Sequence, residues 1–385
     1  MSRRFKFLFL IFFLIFIQTG CKDLKEVDRI TFPVVLGIDW DETSSNIKIY
    51  AQVSTMSSQP GGQNQSTAVY SVLNGEGKTL IEAMDIIIDH AQQYISWKQI
   101  IAVVITDKMA KHGISKELDV LIRNEQIHLN SYLIITTENL RELLGTAPII
   151  DTGLPTSIVG VGLVSEQGTH SKAVTIKDFI MATLTKEIEP VLPLLVINRK
   201  DEKQKEKTIE LDYKGLGVFK DEKLIGWLDE NETSAMLFVS GIKGQGYLNI
   251  SRPQNEEEII VSELTTNTKF IPYMQNNKPG TILKISVEYD IYSYVSDQKL
   301  DLKEVQRINS LVRDHIKSQV EAVIKKAQQD LNADVFGLGG KIYRKYPEYW
   351  IENMNDWSEI FSSMDVKVEV EAKIRDTGEL SGSLK

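Results

Sequence analysis

Cys21 is the only cysteine among 385 residues, and its neighbours give its thiol one specific chemistry. A cationic stretch with Arg3, Arg4 and Lys6 precedes the eleven apolar residues Phe7–Ile17, and Gln18-Thr19-Gly20 lead into the cysteine. That apolar length fits a secretion signal, about 7–15 residues, and falls short of the roughly 20 that cross a membrane. A small residue directly before a lone cysteine is what lipoprotein signal peptidase cuts, so Gly20–Cys21 is the predicted scissile bond. Residues 1–20 are the predicted signal peptide. The thiol would become a thioether to diacylglycerol, and the new N-terminus would take an acyl chain such as palmitate. One acyl chain binds a bilayer reversibly and a second makes the anchorage stable, at about 0.8 kcal/mol per buried CH₂. Residues 22–30 (KDLKEVDRI) are too polar to bury the cysteine instead.

Other reactive groupings fail on inspection. Asp151-Thr152-Gly153 and Asp376-Thr377-Gly378 have the triplet form of an aspartic-protease dyad, in which two carboxylates share a proton. Arg375 precedes the second where an apolar residue is needed, and only seven residues follow it. Both triplets read as turns. His90, His112, His128, His170 and His315 are far apart and form no metal-ligand pair. Gly160-Val-Gly162 lacks the third glycine of a dinucleotide loop, and Gly337-Leu-Gly339-Gly340 precedes no helix start of that kind. Asp39 and Asp41, either side of Trp40, read as a solvated turn. No catalytic residue, metal ligand or cofactor site is expected beyond the lipid at Cys21, so the chain is not expected to be an enzyme.

The chain's net charge is −9; losing the leader's three cations leaves −12. An acidic body does not suit nucleic acid or electrostatic attachment to anionic lipid, which leaves the lipid as the predicted membrane anchor.

The elements follow from periodicity. Thr31–Trp40 and Asn46–Thr55 form a predicted hairpin, with Ala68–Leu73 a further strand. Thr79–Gln93 is a predicted helix, Gln99–Ile105 a buried strand, Thr106–His112 and Ile114–Asn124 helices, and His128–Thr137 a strand. Arg199–Lys207 (RKDEKQKEK) has eight charges in nine residues and marks the predicted boundary. The expected organisation is an N-terminal α/β domain over 21–198, a small middle domain over 208–252, and a C-terminal α+β domain over 258–378. In the last, an antiparallel sheet packs on one long helix, 301–331, whose apolar stripe runs from Leu302 to Leu331. The fold class is therefore α+β, multi-domain, with three units expected.

Asp334–Phe361 packs seven aromatic residues, including Trp350 and Trp357, into 28 residues behind three glycines. Alone, it suggests an aromatic-rich helical hairpin closing a core.

With these residues in view, the sequence resembles the C-subunit lipoproteins of spore germinant receptors, the Ger(x)C family. The likeness runs from Cys21-Lys22-Asp23 and Gly37-Ile38-Asp39 through Gly215-Leu-Gly217-Val-Phe219 and Leu224-Ile-Gly226-Trp227. Its most specific part is Asp334, Phe336, Gly337 and Gly339, followed by Arg344, Pro347, Trp350, Trp357 and Phe361. The resemblance implies a noncatalytic subunit required for triggering endospore germination. It would be lipid-anchored on the outer face of the spore inner membrane and partnered by A-type and B-type membrane subunits of a nutrient receptor. The alternative is a lipid-anchored solute-binding protein that captures nutrient itself, which two similar α/β lobes about a cleft would mark.

Overall fold

The computed structural model describes residues 30–57, 67–91, 93–145, 158, 171–199, 209–241, 243, 246–250, 258–295 and 300–376. Gly20, Cys21, the first Asp-Thr-Gly triplet, most of the charged block and the end of the second triplet lie outside the described residues.

The fold is α+β, and the described residues form an eight-stranded and a four-stranded sheet and one short two-strand pairing. From the front come β1 (Ile30–Thr31), β2 (Pro33–Asp41), β3 (Asn46–Ser57), β4 (Thr67–Gly77) and α1 (Leu80–Ala91). Then follow β5 (Tyr94–Ile95), β6 (Ala102–Thr106), α2 (Asp107–His112), α3 (Ser115–Arg123), β7 (Tyr132–Thr136), α4 (Leu140–Gly145), α5 (Ile176–Thr185) and β8 (Val191–Arg199). Strands β2, β6, β7 and β8 run parallel, and the β3–β4 meander extends one edge antiparallel.

β6 shows why an uninterrupted apolar run belongs here. All five of its residues are buried. Val103 and Ile105 face a core shared with α1, α2, α3 and α5, while Ala102 and Val104 face a second core shared with α4. A parallel strand covered on both faces loses the polar alternation of a half-wet one.

The segment 208–252 does not form a unit of its own. β9 (Ile209–Lys220) pairs antiparallel with β8, and β10 (Lys223–Leu228) pairs with β9 as the edge of the large sheet. Helix α6 (Glu230–Ser240) instead buries Met236, Phe238 and Val239 in the C-terminal core, and β11 (Tyr247–Asn249) edges the smaller sheet. A lone hairpin is marginal in water, so this one is stable as an addition to an existing edge.

In the smaller sheet β12 (Glu258–Gln275) and β13 (Lys278–Val295) form a long hairpin. Its two turn residues, Asn276 and Asn277, both take positive φ (51° and 61°), the backbone of the tight turns that match strand twist. Helix α7 (Leu302–Lys326) follows and runs on through a single π turn over Ala327–Leu331. Ile308, Val312, Ile316 and Val320 form its buried stripe. Leu302, placed on that stripe by sequence spacing, is 83% exposed. The last strand, β14 (Asp365–Asp376), lies parallel to β13. The sheet is thus antiparallel except for this strand, whose chain returns through a long helical crossover and not a hairpin.

One hydrophobic core crosses the junction of the two sheets. It joins Val191, Leu216, Val218 and Leu228 to α6, α7 and the faces of β12 and β13.

Candidate functional site

The expected helical hairpin of the aromatic block is three short helices: α8 (Leu338–Lys345), α9 (Pro347–Asn353) and α10 (Trp357–Ser363). Pro347 opens α9, where its missing N–H is no loss.

Asp334 organises the block. It is 3% exposed. Its Oδ1 accepts from the backbone N–H of Phe336 (3.2 Å) and of Leu338 (3.1 Å). Its Oδ2 accepts from Gly339 N–H (2.7 Å) and from Trp357 Nε1 (3.1 Å). Burial pushes its carboxyl above the ordinary value, while the four N–H donors favour the anion and oppose the shift. One side chain thereby fixes the loop entering α8 and the orientation of an indole 23 residues away.

The glycines make room. Gly337 sits at φ +69°, a left-handed conformation natural to glycine. A Cβ on Gly339 would lie 2.7 Å from the Trp350 ring and 3.0 Å from Trp357 Nε1. Trp350 and Trp357 meet edge to face with centroids 5.2 Å apart, and Phe361 continues the row. All three rings, like Phe336, are buried. Arg344 is exposed. The structure therefore brings Asp334, Phe336, Gly337, Gly339, Trp350, Trp357 and Phe361 together, and leaves Arg344 and Pro347 on the outside.

The block is also a bridge, which the sequence did not signal. Glu189 N–H donates to Asp334 O (2.9 Å), Gly340 N–H to Glu187 O (3.3 Å), and Lys220 Nζ to Asn332 O (3.1 Å). On the C-terminal side, Gln328 Nε2 donates to the carbonyls of Phe361 and Met364, both at 2.8 Å. Burial and the nearby acids Asp221 and Asp334 push the Glu189 carboxyl up to about 7, against the pull of Lys220. Glu187 and Glu189 lie about 150 residues from their partners in a segment without a motif, so no local pattern marks them.

Of the other residues singled out by chemistry, Gly160, Gly162 and His170 lie outside the described residues, and the rest are placed as follows. Asp39 accepts from the Thr106 hydroxyl (2.5 Å) and its neighbour's N–H, and Asp41 pairs with Lys48. His112 stacks on Trp40 at 3.8 Å. His90 and His128 are exposed, and burial holds the His315 imidazole below its ordinary value. Among the described residues no three His, Cys, Asp or Glu side chains gather as a metal site. No helix among them is long and apolar enough to cross a membrane.

Two family models match this architecture. The N-terminal domain of spore germination proteins matches residues 23–197, and the C-terminal model "Spore germination B3/ GerAC like" matches residues 214–378. Spore germination protein KC of Bacillus subtilis is 25% identical, over 94% of this chain and 93% of its own. Spore germination protein B3 of the same organism is 22% identical, over 95% and 96%. The crystal structure of the GerBC protein has the same fold, with a TM-score of 0.53 and 20% identity over 88% of this chain and 96% of that one. With both models matched, over residues 23–197 and 214–378, the chain belongs to the GerAC-like family of spore germination proteins.

Proposed function

We propose that this protein is the noncatalytic, lipid-anchored C subunit of a nutrient germinant receptor. The observation that carries this reading is the pair of family matches, which together run from residue 23 to residue 378 with only a short interval between them. The lone Cys21 behind an eleven-residue apolar run supports the lipid. On this reading the protein is held on the outer face of the spore inner membrane and partners A-type and B-type membrane subunits. Its contribution is to hold and couple surfaces, for which the Asp334 bridge between the two sheets is a suitable rigid element.

The test is replacement of Cys21 by serine in the spore-forming host. Lipid labelling should vanish and the protein should leave the membrane fraction. The wild-type protein, affinity-purified from detergent-solubilised inner membranes, should bring both membrane subunits with it. A serine variant that stays bound through a high-salt wash, or a wild-type preparation free of both subunits, overturns the reading.

A further inference from the structure

The chain is acidic overall, with a net charge of −9, yet two stretches of it carry cations alone. Residues 264–287, the turn half of the β12–β13 hairpin, hold Lys269, Lys278 and Lys284 and no acid. Residues 335–347, through α8, hold Lys341, Arg344 and Lys345 and no acid. The fold brings the two stretches together. Lys341 Nζ lies 4.2 Å above the centre of the Phe270 ring, and Lys345 Nζ donates to the carbonyl of Pro272. β14 adds Lys367, 5.6 Å from the centre of the Tyr273 ring.

These charges are not neutralised within the fold. Lys269 stands directly opposite Lys284 in the β12–β13 ladder, a like-charge pairing that weakens a sheet. Of the two, only Lys284 has a carboxylate, Glu369 at 2.9 Å. Asp365 serves both Lys367, at 3.5 Å, and the Tyr273 hydroxyl. Lys269, Lys278 and Arg344 are exposed and form no ion pair among the described residues. Burial, and after it the like charge of Arg344, holds the Lys341 ammonium below its ordinary value. The basic face stops at α9, which carries Glu348 and Glu352. Tyr343, 40% exposed among the α8 cations, adds an amphipathic ring of the kind that sits at a membrane–water interface.

This face adjoins the end of the large sheet from which the tether leaves. β2 and β8 run the same way through β6 and β7, so Pro33 and Val191 open their strands at one end. β1 leads into β2 there, and Glu189, just before β8, holds Asp334 at the entry to α8. Three strand spacings separate β2 from β8, about 15 Å. Residues 22–29, between Cys21 and Ile30, reach at most about 28 Å. A lipid at Cys21 and the basic face can therefore meet one bilayer together. We propose that the face built by α8 and the turn end of the β12–β13 hairpin lies against an anionic lipid bilayer and fixes how the lipid-held protein is oriented on it. The acidity of the rest of the molecule does not cancel this contact, because charges more than a Debye length away, about 8 Å at physiological salt, are largely screened. The inference rests on the lipid-anchored reading for what brings the face to the membrane, whereas the contact itself is measured without the lipid.

The test is vesicle sedimentation with the mature chain, residues 21–385 carrying Cys21→Ser. Vesicles of phosphatidylcholine alone are compared with vesicles holding about 30% phosphatidylglycerol. At about 0.05 M salt the anionic vesicles should bind at least about tenfold more strongly, and the difference should vanish by about 0.5 M. Each cation at an anionic surface is worth about fivefold in binding. Lys269→Gln, Lys278→Gln and Arg344→Gln together should therefore weaken binding at least about tenfold, with the melting temperature unchanged. Lys78→Gln, Lys108→Gln and Lys303→Gln together make the same change in net charge at exposed positions on other elements, and should stay within about twofold of wild type. If the first triple variant does not fold, Arg344→Gln alone decides, with about a fivefold loss expected. Equal binding to the two kinds of vesicle overturns the inference and leaves the face to an acidic polypeptide. Binding that persists at high salt, equal losses in the two triple variants, or wild-type binding in the deciding variant also overturns it. With no lipid attached in this assay, its failure leaves the Cys21 reading standing, and an unlipidated chain in the host leaves this contact standing.

Discussion

At the scale of single residues, Asp334 occupies a place where an apolar side chain would be the simpler choice. Its four N–H donors explain it: each would be buried without a partner if the carboxylate were absent. An unsatisfied buried donor costs about 1–3 kcal/mol, against about 5–15 kcal/mol of total stability. Asp334→Ala should therefore destabilise severely. Trp357→Phe, which keeps a ring and removes one donor, should cost about 1–2 kcal/mol, and Trp357→Ala about 3–5 kcal/mol. Thermal unfolding of the three variants checks that order; a melting temperature unchanged in Trp357→Ala would reassign these rings from core to contact surface. Glu189 adds a pH dependence of definite sign. Its carboxyl is raised to about 7 in the folded protein, so the folded state holds a proton that the unfolded state releases at lower pH. The protonated form's stability is fully present below the ordinary glutamate range and is lost as pH rises through about 7. Glu189→Gln should flatten the fall in melting temperature between pH 5 and pH 8, relative to wild type. An identical pH profile in the two proteins would show that Glu189 is not the titrating group.

At the scale of elements, helix α7 shows how far periodicity reaches. Ile308, Val312, Ile316 and Val320 recur every fourth residue and are all fully buried, so the stripe was legible. Leu302 stands six residues before Ile308, off that register, which Glu304 occupies, and it is exposed at the first turn. Ile316→Ala should accordingly cost about 2–5 kcal/mol, while Leu302→Ala should fall within about 0.5 kcal/mol of wild type. Chemical denaturation measures both, and equal effects would displace the helix from the sheet face described. The buried strand β6 was equally readable, because an apolar run is a local signal. What could not be read was partnership. That β14 joins β13 in parallel, and that β9 and β10 extend the large sheet, depend on pairings between distant segments which strand patterns leave open. The site divides in the same way: the aromatic and glycine positions stand close together in sequence, whereas Glu187, Glu189 and Lys220 join Asp334 and its neighbours only through the fold.

At the scale of the whole molecule, the charged block at 199–207 takes on a different meaning from the one its composition suggests. As a boundary it should separate an N-terminal piece from the remainder. In the structure its flanks are β8 and β9, adjacent strands with paired residues from Val191↔Val218 to Arg199↔Ile209. Cleavage between them leaves the ladder, the shared core around Leu216 and Val218, and the Asp334 bridge intact. The block carries five lysine or arginine side chains in nine residues and resists burial, so limited trypsin should cut there first. The two fragments, near residues 21–200 and 208–385, should then run apart on a denaturing gel and elute together in native size exclusion. The nicked protein should melt in a single transition, because the continuous core makes the sheets interdependent. Two separately eluting, separately melting pieces would mean that the junction between the sheets is a loose contact. The Asp334 bridge would then couple nothing.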